Sequence, residues 1–273
     1  EVLRVFQDRL NTEQDREDFQ KILDEQLGIQ VDLTYEEACT TDGKDALFVD
    51  FLNDLGEEIY QEVTDFPKLR ARLNEALAEY NSKPKNPKMD LVLFVDAIIH
   101  VTKIYRILNL PRGHCMLIGV GGSGRHSLTA LASFLQKMNV FQLEVTKGFK
   151  LKNFREFLKE MYAVAGAGMD VMKTTFIFSD NDVVMESFLE DIQNMLNLGV
   201  VPNLYAGDEL SKLRDDFRRK YRMANKGAPE TPEAMDNWFF TNVKDNLHLS
   251  LCFSPLGKNF KDYCRSYPAL INN

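Results

Sequence analysis

Residues 116–127 carry the side chains and backbone best suited to chemistry, because an apolar run there breaks into four glycines and then continues in a helical pattern. Glycines leave backbone N–H groups bare, so these groups can converge on an anion at the positive end of the following helix. The segment therefore predicts a phosphate-binding loop. Its predicted residues are six consecutive positions: Gly119, Val120, Gly121, Gly122, Ser123 and Gly124.

The two positions after this loop depart from the P-loop template G-x-x-x-x-G-K-S/T. The match through Gly119 puts Arg125 where lysine belongs and His126 where the magnesium-binding hydroxyl belongs. Arginine keeps the positive charge, but its planar fork does not fit a tight lysine position. Arg125 is either a phosphate ligand or an exposed arginine without one. Ser127 offers a hydroxyl one residue late, about 100° around the helix, and His126 is typical of a surface residue.

A second cluster follows the apolar run 175–179, which ends in the carboxylate of Asp180. This position predicts a Mg²⁺ ligand, direct or through water, beside nucleotide phosphates. Hydrolysing enzymes of this type usually carry a glutamate next, but Asn181 stands here and an amide cannot accept a proton. Asp182 is either a substitute base or, as we favour, a cap for the helix predicted to begin near Val183. No residue is therefore assigned as catalytic.

A dinucleotide-binding site is the main alternative. Gly119, Gly121 and Gly124 also satisfy G-x-G-x-x-G, and Glu144 lies 20 residues beyond Gly124, where a Rossmann domain places its ribose-binding acid. The predicted strand 141–145 puts Glu144 inside the strand and not at its tip, which counts against this alternative. An oxidoreductase would also need a second domain with a catalytic acid or base.

The order of elements predicts an α/β fold. From Cys115 onward short apolar strands alternate with helical patterns, which is typical of a parallel sheet covered by helices on both faces. The region before it is helical, with apolar positions at three- and four-residue steps. The predicted strands are 115–119, 141–145, 174–179 and 248–253. The predicted helices are 91–108, 125–137, 151–164, 183–197, 208–224, 231–246 and 257–264. Ser254, at the end of the last strand, is either a phosphate sensor or a turn residue before proline.

Composition narrows the class of protein further. The 273 residues are 44% hydrophobic and carry 33 basic against 41 acidic side chains, a net charge of −8. This charge provides no basic footprint for nucleic acid. No apolar run reaches the roughly 18 residues of a membrane helix, so no membrane association is expected. The four cysteines are dispersed without a C-x-x-C pair, which predicts neither a disulfide framework nor a zinc site and favours a reducing intracellular compartment.

Together these segments resemble the fourth AAA+ module of a dynein heavy chain. The resemblance is carried by LPRGHCMLIGVGGSGRHSLT (110–129), FIFSD (176–180), LCFSPLG (251–257) and RSYPALIN (265–272). In addition, RVFQDRL (4–10) resembles the closing helices of the preceding module. The loop is most similar to that of axonemal, or ciliary, dyneins.

The resemblance implies a piece of a larger polypeptide. Residues 86–273 would form the P-loop AAA+ large subdomain, incomplete at its C-terminus, and 1–85 the end of the preceding small subdomain with its connection. The fragment is not expected to fold stably alone. The family forms a six-module ring that drives ATP-dependent movement on microtubules. The implied partners are neighbouring modules, microtubules through a stalk outside this chain, and dynein intermediate and light chains. The implied location is the axoneme, with the cytoplasm as an alternative.

The resemblance also assigns roles within the site. The bound molecule would be ATP or ADP with Mg²⁺, and its base would pack on residues 108–113, including Pro111. Arg265 stands where such modules offer an arginine finger to the neighbouring nucleotide, although a surface arginine is an equal alternative. Because Arg125, His126 and Asn181 depart from the family pattern, we expect a regulatory or structural module with weak or absent hydrolysis. A scaffolding module with an empty site is the alternative.

Overall fold

The computed structural model describes residues 6–7, 10–41, 44–52, 59–84, 86–167, 173–256 and 259–272. The chain divides into two compact units, Glu1–Leu69 and Arg70–Asn273. The predicted boundary between a helical segment 1–85 and an AAA+ part 86–273 was drawn from the family resemblance and not from compactness. It stays a prediction. Residue 85 and most of segment 4–10 lie outside the described residues.

The first unit is small. Its longest helix, α1, begins at a helix cap in which the Thr12 hydroxyl accepts a hydrogen bond from the Asp15 backbone N–H at 3.1 Å. None of the residues of α1 is buried. Two short antiparallel pairs follow, β1 with β2 and β3 with β4. The elements of this unit are α1 (Glu13–Val31), α2 (Tyr35–Cys39), β1 (Thr40–Thr41), β2 (Lys44–Asp45), β3 (Phe48–Val49) and β4 (Gln61–Glu62).

The second unit alternates strands and helices, as the sequence predicts. A single 3₁₀ turn, Asp180–Asp182, follows its third strand. The helix α3 (Phe66–Ser82) crosses the boundary between the units. The remaining elements are α4 (Val95–Asn109), β5 (Cys115–Ile118), α5 (Arg125–Leu135), β6 (Asn139–Gln142), α6 (Leu151–Ala167), β7 (Thr174–Ser179), α7 (Glu186–Leu198), α8 (Gly207–Ala224), α9 (Pro232–Asn246), β8 (Leu247–Phe253), α10 (Asn259–Ser266) and α11 (Ala269–Asn272).

Four parallel strands form the sheet, in the order β5-β8-β7-β6. Leu117 pairs with Cys252 across β5 and β8, and Phe178 pairs with Leu251 across β7 and β8. Every residue of β7 and β8 is buried, whereas β5 and β6 are partly exposed. Parallel strands buried on both faces need helical connections, and this arrangement confirms the predicted α/β class.

Helices cover both faces of the sheet. Successive side chains of a strand point to opposite faces, so Phe178 and Ile177 of β7 enter different clusters. Phe178 joins the large core formed with α6, α7 and α9, where the rings of Phe154 and Phe188 stack with centroids 4.3 Å apart. Ile177 joins a smaller cluster with Ala130 of α5.

Buried hydroxyl pairs fix α5 to the two central strands. The Thr129 and Ser250 hydroxyl oxygens lie 3.0 Å apart, and the Ser133 hydroxyl donates to that of Thr175 at 2.9 Å. All four side chains are buried. Because α5 begins directly after the glycine loop, these bonds also set the position of the loop.

The predicted bounds of the strand 141–145 are wrong. The observed strand β6 begins at Asn139, opposite Thr174, and its last pair joins Gln142 to Ile177. Its position follows the start of β7, a long-range constraint that local periodicity does not contain. Glu144 therefore lies beyond the end of the strand and is exposed. Its supposed interior position does not count against a dinucleotide site.

Several helix starts also differ from prediction. The helix predicted from 91 begins at Val95, and the one predicted near 183 begins at Glu186 after the 3₁₀ turn. The helix predicted over 257–264 is observed over Asn259–Ser266, while 257 and 258 lie outside the described residues. In the part of the chain that the structure describes, no helix is long and apolar enough to cross a membrane.

Candidate nucleotide-binding site

The carboxyl ends of β5, β8 and β7 bring the predicted site residues to one edge of the sheet. The Gly119 N–H, just after β5, donates to the Phe253 carbonyl of β8 at 3.1 Å. The Ser254 N–H donates to Oδ2 of Asp180, just after β7, at 2.9 Å. These two bonds connect the glycine loop, the end of β8 and the Asp180 carboxylate. Ligands of open parallel sheets bind at this kind of edge.

The glycine loop has a backbone shape that other residues would not adopt easily. Gly122 and Gly124 have φ angles of +80° and +79°, in the left-handed region that favours glycine. A hydrogen bond of 3.2 Å from the Ser123 N–H to the Val120 carbonyl closes the turn. A Cβ on Gly119 would stand 2.7 Å from the Ser123 hydroxyl oxygen, so a larger residue there would force the Ser123 side chain to move.

The outer side of the loop is open. A Cβ on Gly121 or Gly122 would meet no protein atom within 4 Å. Gly124 stands at the N-cap of α5 and has no side chain to cap it. The first-turn N–H groups of a helix are unsatisfied donors at the positive end of its dipole. The start of α5 beside the open loop is therefore the kind of backbone setting that binds phosphate in other proteins.

Arg125 lies beside the start of the loop. Its Cδ lies 3.6 Å from the position that a Cβ on Gly119 would take, and the side chain is partly buried. Its Nη1 is buried and, within the described part of the chain, has no hydrogen-bond partner. The arginine is thus less exposed than the alternative predicts, and its role as a phosphate ligand stays a prediction. A buried guanidinium N–H without an acceptor costs free energy, and phosphate oxygens are among its best acceptors.

Cys252 on β8, next to Phe253, carries a buried thiol. Burial raises the pKa of this thiol to about 12; Asp180 also raises the pKa, whereas the Ser250 hydroxyl and the Arg125 charge lower it. The thiol is inert as a nucleophile at neutral pH, because only the thiolate reacts.

The residues present only partly fit a magnesium ion. Asp180 lies at the site with one carboxylate oxygen accepting from Ser254. The residue at the template's hydroxyl position, His126, is exposed, and imidazole is not the oxygen ligand that Mg²⁺ prefers. Ser127 is partly buried one position further along α5. Of the expected ligands, the carboxylate alone is in place.

Asp182 is engaged within its own turn. Its Oδ2 accepts hydrogen bonds from the backbone N–H and the hydroxyl of Ser179, both at 2.7 Å. This reciprocal arrangement is a capping box at the 3₁₀ turn. The favoured capping role is therefore correct in kind, but the cap belongs to this turn and not to a helix at Val183. Asn181 is exposed between the two aspartates.

The other predicted site residues lie at the periphery. The Ser254 hydroxyl accepts from the Leu256 N–H at 3.3 Å, which is a turn contact, and its sensor role stays a prediction. Pro111 and Arg265 are both exposed. Leu108 is completely buried in the core, so it is not available to a base.

Sequence reasoning missed Leu91. A methyl carbon of Leu91 lies 3.7 Å from the position of a Cβ on Gly124, so the extended segment before α4 lies against the loop. Periodicity placed Leu91 inside a helix. The run of five apolar residues 91–95 before Asp96 was the available signal of a different structure.

Two cavities of about 370 Å³ lie away from the loop. One is lined by Arg112, His114 and Lys244, near the amino ends of β5 and β8, and the other by residues of α3 and α5. We assign the nucleotide site from the loop backbone and the strand ends, since phosphate recognition depends on converging N–H groups more than on cavity volume.

A parallel sheet with a glycine loop between a strand and a helix, and a carboxylate after the neighbouring strand, defines a P-loop nucleotide-binding module. Residues 89–273 match the family described as the P-loop containing dynein motor region D4. The chain belongs to this family of AAA+ dynein motor domains. The family assignment rules out the dinucleotide oxidoreductase.

The chain is similar to the heavy chains of axonemal dyneins. Over the whole chain it is 40% identical to dynein axonemal heavy chain 2 of Mus musculus and 39% identical to the dynein-1-beta heavy chain of the flagellar inner arm I1 complex of Chlamydomonas reinhardtii. It is 37% identical to dynein axonemal heavy chain 5 of Mus musculus. The chain spans about 6% of the length of each of these relatives.

Proposed function

We propose that this chain is a regulatory or structural nucleotide-binding module of a ciliary dynein motor, with weak or absent ATP hydrolysis at its own site. The observation that carries the proposal is Arg125: its Nη1 is buried without an acceptor among the described residues, and its Cδ lies beside Gly119 at the start of the glycine loop. A nucleotide phosphate supplies that acceptor. The bound nucleotide is ATP or ADP, and Asp180 is the group that would hold Mg²⁺ beside it.

The proposed lack of hydrolysis rests on the residues after β7. A general base must accept a proton from the attacking water, and Asn181 cannot do so. Asp182 is the only other nearby candidate from the sequence, and its Oδ2 already accepts two hydrogen bonds from Ser179. A nucleotide held without turnover stabilises the conformation that binds it.

The proposed setting follows from the relatives. The module would stand in the axoneme, within a motor whose other modules lie in the same heavy chain. Arg265, exposed on α10, would reach the nucleotide of a neighbouring module. Microtubules would bind through a stalk outside this chain, and intermediate and light chains would bind elsewhere on the heavy chain.

A charge placed in the loop tests nucleotide binding. In the motor polypeptide that carries this chain, Gly121→Glu puts a carboxylate into space that is open in the protein, where a phosphate would lie. We expect the variant to lose the nucleotide of this site and to change microtubule gliding speed. The readouts are nucleotide content after gel filtration, by chromatography of the denatured protein, and a gliding assay.

Gly207→Glu is the matched control, because Gly207 is also in open space but begins α8, outside the loop. We expect this control to retain the full nucleotide content. If Gly121→Glu and Gly207→Glu retain the same nucleotide and move microtubules at the same speed, the site is empty. The module would then be a scaffold.

A further inference from the structure

We propose that this site retains its nucleotide without magnesium, because the guanidinium of Arg125 supplies the positive charge that the phosphates require. The inference rests on the proposed nucleotide binding and specifies which cation stabilises the bound form. It concerns retention of the nucleotide only and involves no chemical step.

The described residues offer an incomplete set of magnesium ligands. In a standard P-loop the lysine and a Mg²⁺ ion together offset the phosphate charge, and the hydroxyl after the lysine binds the metal. Mg²⁺ demands nearly octahedral oxygen coordination and gives up its water reluctantly. With exposed His126 at the hydroxyl position, the described residues place only Asp180, of the expected ligands, at such an ion. One carboxylate provides weak support for it.

The position of Arg125 suits it to bind phosphate. Its side chain lies across the start of the loop, with Cδ 3.6 Å from the Cβ position of Gly119. A guanidinium presents several donors in one plane and can bind two phosphate oxygens at once, which a lysine cannot do. The unpartnered, buried Nη1 is a donor already removed from water. Its desolvation cost is recovered when a phosphate arrives.

Asp180 adds negative charge at the candidate site. Without a cation, this carboxylate would repel the phosphates. The Arg125 side chain lies beside Gly119 at the start of the loop, so we expect its charge to offset part of this repulsion, as the metal does in the standard site.

Magnesium removal from the intact motor tests the inference. Nucleotide content is measured after gel filtration in Mg²⁺ buffer and in EDTA, and the content of Gly121→Glu is subtracted to isolate this site. We expect the share of this site to fall by less than about threefold in EDTA. The double variant Arg125→Lys with His126→Thr restores the standard pattern, and its share should fall by more than about tenfold.

The other variants separate the remaining outcomes. Arg125→Gln should lose the nucleotide of this site in both buffers, with the nucleotide content of the other modules serving as the control for folding. Loss from the wild type in EDTA to the same extent as from the double variant would overturn the inference, as would retention by Arg125→Gln. If the wild type and Gly121→Glu hold equal nucleotide in Mg²⁺ buffer, the proposed function itself fails.

Discussion

At the scale of single residues, the substitutions in this site differ in their consequences. Arg125 keeps the charge of the template lysine and changes its geometry, so a binding role survives. Asn181 is one methylene shorter than the expected glutamate and cannot accept a proton, which is the basis of the proposed weak or absent hydrolysis. Both substitutions are visible in the sequence. The position of the Arg125 side chain beside Gly119 could not be predicted from it, because side-chain direction depends on tertiary structure.

Asp182 provides a test at this scale. Asp182→Ala removes the acceptor of both hydrogen bonds from Ser179, and loss of such a cap costs about 0.5–2 kcal/mol. We expect faster amide hydrogen exchange in the intact motor around the turn Asp180–Asp182. Asp182→Asn retains an acceptor oxygen but not a base, so it should affect exchange less and leave ATP turnover unchanged. Loss of turnover in Asp182→Asn would identify Asp182 as the missing base.

At the scale of elements, the sequence predicted the order and type of strands and helices in the α/β part. Strong signals were sufficient there: β7 and β8 are rich in apolar residues, and both strands are buried at every position. The edge strand β6 was misplaced because its residues are only partly buried. Its register is set by pairing with β7, which is distant in sequence. Part of the site was missed for a related reason, since Leu91 reaches the loop through tertiary structure.

Gly166 tests how tightly the helices on the large core are packed. A Cβ there would stand 2.4 Å from Cε2 of the Phe239 ring, so α6 and α9 approach closely only because this residue is glycine. Gly166→Ala should destabilise the module by about 1–3 kcal/mol. The measurement is hydrogen exchange protection of α6 and α9 in the motor. Gly207→Ala, at an open position, is the control and should change little.

A compensating change identifies the cause. Phe239→Leu in the Gly166→Ala background makes room for the new methyl group, so the double variant should be more stable than the sum of the two single effects. Simple additivity of the two substitutions would mean that the contact with Phe239 does not explain the cost of Gly166→Ala.

At the scale of the α/β unit, its two ends have different roles. The carboxyl ends of β5, β7 and β8 carry the glycine loop and Asp180. The amino ends of β5 and β8 are joined by histidines: His114 Nδ1 accepts from the Leu249 N–H at 3.0 Å, and His248 Nδ1 lies 2.8 Å from the Gly113 carbonyl oxygen. The sheet that positions the candidate site is therefore held at its far end by two histidines whose pKa values are lowered in the fold.

These histidines make the stability of the unit depend on pH. Burial, and then the neighbouring His248, lower the pKa of His114 to about 4, and burial lowers the pKa of His248. Since the unfolded chain has the higher pKa, it binds more protons as the pH falls, and folding stability decreases below about pH 6.5 and down to about pH 4.

For His114 alone we expect a loss of about 2 kcal/mol between pH 7 and pH 5. Hydrogen exchange of β5 and β8 in the motor, corrected for the intrinsic exchange rate at each pH, measures this loss. His114→Asn keeps an acceptor for the Leu249 N–H and cannot titrate in this range, so its protection should decrease less over the same interval. An equal decrease in the wild type and in His114→Asn would show that other groups cause the pH dependence.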